Sequence, residues 1–132
     1  MSFRKPGAKP HTFGAVSTST GAVEVTAGTI VMNANGKWPN ATEVRVAGGS
    51  LTLKNAEAFG TNAFWRVTTG NDPVVALDFA GTNACERLYV DGKRKVGGVY
   101  GATGSGADKE VDWLTGTGFL KVAEHGVMIF LK

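Results

Sequence analysis

Three acidic residues alternate at Asp108, Glu110 and Asp112. On a strand, successive side chains point to opposite faces, so this spacing puts three carboxylates on one side. Hard oxygen ligands on one side could hold Ca²⁺, helped by carbonyls from the neighbouring Gly104-Ser105-Gly106 turn. The plainer reading, and the favoured one, is a polar strand face or loop. Asp72, Asp78 and Asp91 supply carboxylates for another chemistry, glycoside hydrolysis, which needs two of them held about 5 to 9.5 Å apart. Spacing along a chain does not establish that distance, and Asp72-Pro73 reads first as a turn. Cys85 would need a histidine to act as a nucleophile. The only two, His11 and His125, have no visible reason to approach it, and the alternating run around Cys85 suits a buried small hydrophobe. The loop at Gly101–Gly106 lacks the Lys-Ser/Thr ending of a phosphate-binding loop. Asn40-Ala41-Thr42 matches an N-glycosylation pattern and carries no weight by itself. No catalytic residue and no cofactor is expected.

The aromatic residues suggest binding. Trp38, Trp65, Trp113, Tyr89 and Tyr100 each offer a flat apolar face with a polar edge, which suits a sugar ring. Trp38 precedes Pro39-Asn40 in a turn, where a side chain is often exposed, and is the candidate carbohydrate contact. Trp65 and Trp113 sit beside apolar neighbours and read as packing.

Composition bounds the class. The chain has 132 residues, 42% apolar and 19% charged, with 19 glycines and a net charge of +3. That suits one folded domain. The basic excess lies in Arg4, Lys5 and Lys9 and in Lys93-Arg94-Lys95. A nucleic-acid binder shows a denser basic face, so these read as solvated loop charges and no nucleic-acid partner is expected. One cysteine excludes an internal disulfide and a multi-cysteine zinc site. The longest apolar stretch, Val127–Leu131, is far short of the ~20 residues of a membrane-spanning helix, so no membrane insertion is expected. Met1–Pro6 has charge without an apolar core after it, so no secretory signal is expected there.

No segment of ten residues carries a helical apolar period; residues 55–59 suit one helical turn at most. Strand signals fall at 22–26, 29–33, 43–47, 50–54, 64–68, 74–79, 87–91, 119–122 and 127–131, separated by Gly, Asn, Asp or Pro. Asp91-Gly92 marks a hairpin. Within these strands lies a repeat. Residues 23–32 align with 44–53 without a gap, sharing Val-x-Val-x-small-Gly-(Thr/Ser)-(Ile/Leu)-x-(Met/Leu). Two strands joined by a Gly corner and recurring after 21 residues describe one turn of a β-solenoid, whose turns stack over a narrow shared core. The expected fold is therefore all-β, a solenoid of short strands with Gly-rich corners. A β-sandwich is the alternative.

From about Gly21 onward the chain resembles the C-terminal region of bacterial passenger proteins with autotransporter-associated β-strand repeats. The residues that carry the likeness are Gly28–Asn33, Val44–Leu51, Leu88-Tyr-Val-Asp-Gly92, Gly97–Ala102 and Gly116–Val122. The resemblance implies a right-handed β-helix, a secreted or cell-surface location, and a structural or adhesive role without catalysis. The family brings no catalytic residues to carry over.

The two ends point to self-association. Val127–Leu131 is apolar at five consecutive positions, whereas a strand with one wet face alternates. The Phe3–Phe13 segment, with Pro6, Gly7 and Pro10, reads as an extended arm. We divide the chain into an arm, 1–20, and a single solenoid domain, 21–132. The expected subunit contacts are Phe3, Phe13, Val127, Ile129, Phe130 and Leu131, joining copies into an oligomer or filament. The functional expectation is a non-enzymatic structural component, with a polysaccharide-binding module as the alternative.

Overall fold

The computed structural model describes residues 3–5, 11–17 and 20–123. The chain winds from one parallel sheet to a second, across a third face, and back to the first. The first sheet stacks β1 (Phe3–Lys5), β3 (Gly21–Val25), β5 (Ala41–Val46), β7 (Phe64–Val67) and β10 (Arg87–Val90). The second stacks β2 (His11–Phe13), β4 (Thr29–Met32), β6 (Ser50–Leu53), β8 (Val74–Leu77) and β14 (Leu114–Gly116). On the third face, single bridges join Val16 to Lys37 and Trp38 to Phe59, and β9 (Thr82–Cys85) pairs with β15 (Phe119–Val122). This is a right-handed β-helix, and its parallel stacking sets aside the sandwich alternative.

The repeat in the sequence is the register of the fold. Val23 pairs with Val44 and Val25 with Val46. Ile30 pairs with Leu51 and Met32 with Leu53. One turn therefore equals the 21-residue offset. The same columns continue to Trp65 and Leu88 in the first sheet and to Val75 and Leu114 in the second. All of these side chains are buried. They alternate with outward polar positions, so one face of each strand fills the shared core and the other meets water.

Corners are set by backbone chemistry. Gly28 and Gly49 have φ of 71° and 64°, and Ser50 N donates to Gly28 O at 2.8 Å. A Cβ on Gly49 would run into the Gly28 carbonyl below it. The next corner has no glycine at this place. A short 3-10 turn, Thr69–Asn71, closes instead on Asp72 in the left-handed region at φ 53°. The second corner uses asparagine. Asn55 Nδ2 donates to Asn33 O at 2.9 Å and to Gly36 O at 2.8 Å, while its Oδ1 accepts from Glu57 N. The expected helical turn at 55–59 is thus a side-chain-capped turn, because Asn55 supplies the bonds a helix would need from its own backbone.

The regular winding is interrupted once. Between β10 and β14 the chain leaves the stack and forms β11 (Lys93–Arg94), β12 (Gly98–Ala102) and β13 (Lys109–Val111). Strand β11 folds back antiparallel on β10 through Asp91-Gly92, both with positive φ, as a type I′ hairpin requires. Strand β12 pairs antiparallel with β15 and parallel with β13.

The boundary at residue 20 needs correction. Strands β1 and β2 pair in register with β3 and β4, so the described part of 1–20 is a first turn of the solenoid, not a separate arm. Their backbones extend the two sheets by one row. The Val127–Leu131 strand lies outside the described residues.

Gly49→Ala is expected to lower stability by about 1 to 3 kcal/mol, from positive φ and the blocked carbonyl. Gly70→Ala, with nothing within 4 Å of an added Cβ, should stay within about 0.5 kcal/mol. Urea denaturation of the two variants checks both.

Candidate functional site

Two surface features gather the side chains with chemical potential. The first is a cleft of about 510 Å³ where the excursion folds over the end of the stack. It is lined by Thr69, Lys95, Tyr100, Glu110, Asp112 and Trp113, among others. Its aromatic walls are not free platforms. Tyr100 is 1% exposed and its hydroxyl donates to Val96 O at 2.7 Å; Trp113 is also buried.

The acidic trio does not converge. Glu110 Oε1 accepts from Gly104 N at 3.1 Å and Oε2 from Gly106 N at 3.0 Å. Those two N–H groups hold the Glu110 carboxyl below its ordinary range. Its role is to close the turn after β12, and Asp108, Glu110 and Asp112 form no metal-holding cluster among the described residues. Gly101, at the head of the expected loop, is buried inside β12. Asp91 is likewise occupied, with Oδ1 accepting from Thr69 N at 2.8 Å and Oδ2 from Thr69 Oγ1 at 2.6 Å. These bonds hold its carboxyl low as well. Asp72 closes the 3-10 turn, as its turn reading expects.

Cys85 is buried, and burial, with Glu86 adding, pushes its thiol up to about 12. Very little thiolate then exists at neutral pH, so Cys85 packs as a hydrophobe.

Trp38 requires the main correction. It is 4% exposed, with its ring 5.4 Å from Phe13 and its backbone N–H donating to Ala58 O at 2.7 Å. A turn next to proline suggested exposure, but the third face points this ring into the core. Phe13 packs against that core and is half-buried. Trp65 is fully buried against Phe59, and its Nε1 finds no acceptor among the described residues. Nothing is described for the Phe3 side chain or for Val127, Ile129, Phe130 and Leu131.

The second feature is the outward face of the first sheet. Register stacks Glu43, Phe64 and Arg87 in one row. It stacks Glu24, Arg45, Arg66, Tyr89 and Arg94 in the next. Arg45 pairs with Glu43 at 2.6 Å, and Arg66 bonds the other carboxylate oxygen. Burial raises the Glu43 carboxyl, but the two guanidinium groups outweigh it and leave it below its ordinary value. Arg66 lies 4.4 Å over the Tyr89 ring and Arg87 lies 5.6 Å over Phe64. No carboxylate pairs with Arg87 or Arg94 among the described residues. Sequence reasoning named Tyr89, read Arg94 as a solvated loop charge and missed the rest. Its signal was available, since Glu43-x-Arg45, Phe64-x-Arg66 and Arg87-x-Tyr89 recur at one-turn offsets.

Comparison with family models, curated proteins and solved structures finds no match.

Glu43, Asp91 and Glu110 all have lowered carboxyls in the folded state. Each adds stability above the unfolded carboxylate range and loses it as pH falls through the folded value. The melting temperature should therefore be flat near neutrality and fall below about pH 4. Glu110→Gln should flatten that fall in a thermal scan. Separately, Cys85 in the native protein should resist a thiol reagent at pH 8 and react fully once denatured, which absorbance of the released leaving group reads.

Proposed function

We propose that this chain is a non-enzymatic structural β-solenoid unit, of secreted or cell-surface type, that associates with a second copy through its first turn. The observation that carries this reading is the inequality of the two ends of the stack. At one end, β1 and β2 are the outermost strands of their sheets among the described residues, each with one strand neighbour there. A strand at the margin of a sheet can serve as a template for another strand. At the other end, the first sheet stops on β11, two exposed basic residues in an antiparallel hairpin. A short, charged, reversed strand is how natural sheets blunt an edge. The excursion strands β12 and β13 continue the third sheet beyond β15.

Unequal ends favour a closed pair over a filament. Two first turns meeting about a twofold axis would pair β1 with its own copy and leave both blunted ends outward. In the first sheet, head-to-tail growth would have to add a strand onto Lys93-Arg94. The motifs running from Leu88 to Val122, similar to those of passenger proteins, support the secreted or surface assignment.

Light scattering after size-exclusion chromatography should give a dimer that dissociates on dilution. The double variant His11→Lys, Thr12→Lys, with both positions exposed, should give a monomer with an unchanged circular dichroism spectrum. A strict monomer at high concentration would sink the association. Filaments in negative stain would overturn the blunted end.

A further inference from the structure

The outward face of the first sheet carries arginines, glutamates and two aromatic rings in register. We infer that it binds an acidic polysaccharide, a uronic-acid chain laid along the solenoid axis. Three observations converge on that ligand.

The first is charge. Arg45, Arg66, Arg87 and Arg94 share this face with Glu24 and Glu43, and Lys93 and Lys95 flank its end. A guanidinium presents a planar fork that matches a carboxylate with two parallel hydrogen bonds. Arg87 and Arg94 have no carboxylate against them, and Arg87 Nε is buried without an acceptor among the described residues.

The second is shape. The Phe64 and Tyr89 rings lie 6.4 Å apart, half-exposed between the arginines. Stacked on these rings, the guanidinium groups of Arg66 and Arg87 are held in place on the face. Glu43 bridges Arg45 and Arg66, one on each carboxylate oxygen, so the surface is arranged before any ligand arrives. That lowers the ordering cost of binding.

The third is repetition. Stacked strands lie about 4.8 Å apart, so the row from Arg45 through Arg66 and Tyr89 to Arg94 spans roughly 14 Å. A chain with a carboxylate on successive rings can meet this row at more than one place. Duplex DNA, carrying one negative charge per about 1.7 Å, would press phosphates against Glu24 and Glu43 and suits the face poorly. Glycan recognition thus belongs on this face, built from Tyr89 and its arginine neighbours, and not at the buried Trp38.

Isothermal titration calorimetry with hexagalacturonate tests the assignment, with neutral cellohexaose and a short DNA duplex as comparison ligands. The expected result is saturable binding of the uronate alone, weakening as salt is raised. Arg87→Gln with Arg94→Gln should weaken it by about tenfold or more, and Tyr89→Ala by a similar factor. Lys121→Gln, on an exposed position of the third sheet, should leave it unchanged. Circular dichroism of each variant confirms that it is folded. Tighter binding of DNA than of the uronate would overturn the inference. So would equal binding of cellohexaose, no binding by the folded parent chain, or equal weakening by Lys121→Gln.

Discussion

Each turn of this molecule is too thin to bury its own inner side chains. Val44, Val46, Leu51 and Leu53 are fully buried only because the turns before and after carry apolar residues at the same register positions. The unit of stability is the contact between neighbouring turns, and the offset between turns is what selection on such a core must preserve. Truncating one of these leucines to alanine removes area from two interfaces together, in the range of 2 to 5 kcal/mol seen for buried Leu→Ala changes.

Backbone polar groups obey the same logic. Strands satisfy theirs with the ladder, whereas corners leave some unpaired and need local solutions. The Asn33 side chain accepts from Asn35 N within its own corner, and the Asn55 side chain donates to the Asn33 carbonyl of the corner stacked beside it. On the third face Asn83 is fully buried, accepting from Phe59 N at 3.3 Å and donating to Ala84 O at 3.0 Å. A polar side chain there stands in for a ladder the irregular chain does not make. Trp65 Nε1 has no acceptor among the described residues, and a buried donor left so costs of order 1 to 3 kcal/mol.

What was readable in the sequence follows from where periodicity survives. Turns two and three share a Gly corner and a constant 21-residue step, so their strands, register and inward positions could all be read. The next turn keeps Trp65, Val67, Val75 and Leu77 inside but lengthens its corner at 68–73, which hid it from a gapless alignment. Strands β1 and β2 escaped because proline and glycine nearby signalled an arm, whereas backbone pairing with the next turn tolerates such neighbours. The excursion strands are short and Gly-rich, and their pairing is decided by long-range docking on β15. Trp38 was misjudged because adjacent residues say which segment turns, and only the third face says which way a ring then points. The arginine and tyrosine face was legible in principle from the one-turn offsets, but only once the outward positions are stacked as carefully as the inward ones.

The excursion between β10 and β14 has a kinetic consequence. Turns two and three close contacts 21 residues apart, whereas β8 and β14 pair across 39, as Leu114 on Val75. Loop-closure entropy rises with that separation, and contacts of long range form late. Zippering should therefore begin in the middle turns and run outward, with the last row of the second sheet joining at the end. A chain emerging from the ribosome would expose the edge of Val75 and Leu77 until the segment beyond residue 113 is available to cover it. The wait falls where the growing stack most resembles a free edge, so the blunted hairpin at Lys93-Arg94, synthesised before that segment, can shield the first sheet from another chain in the interval.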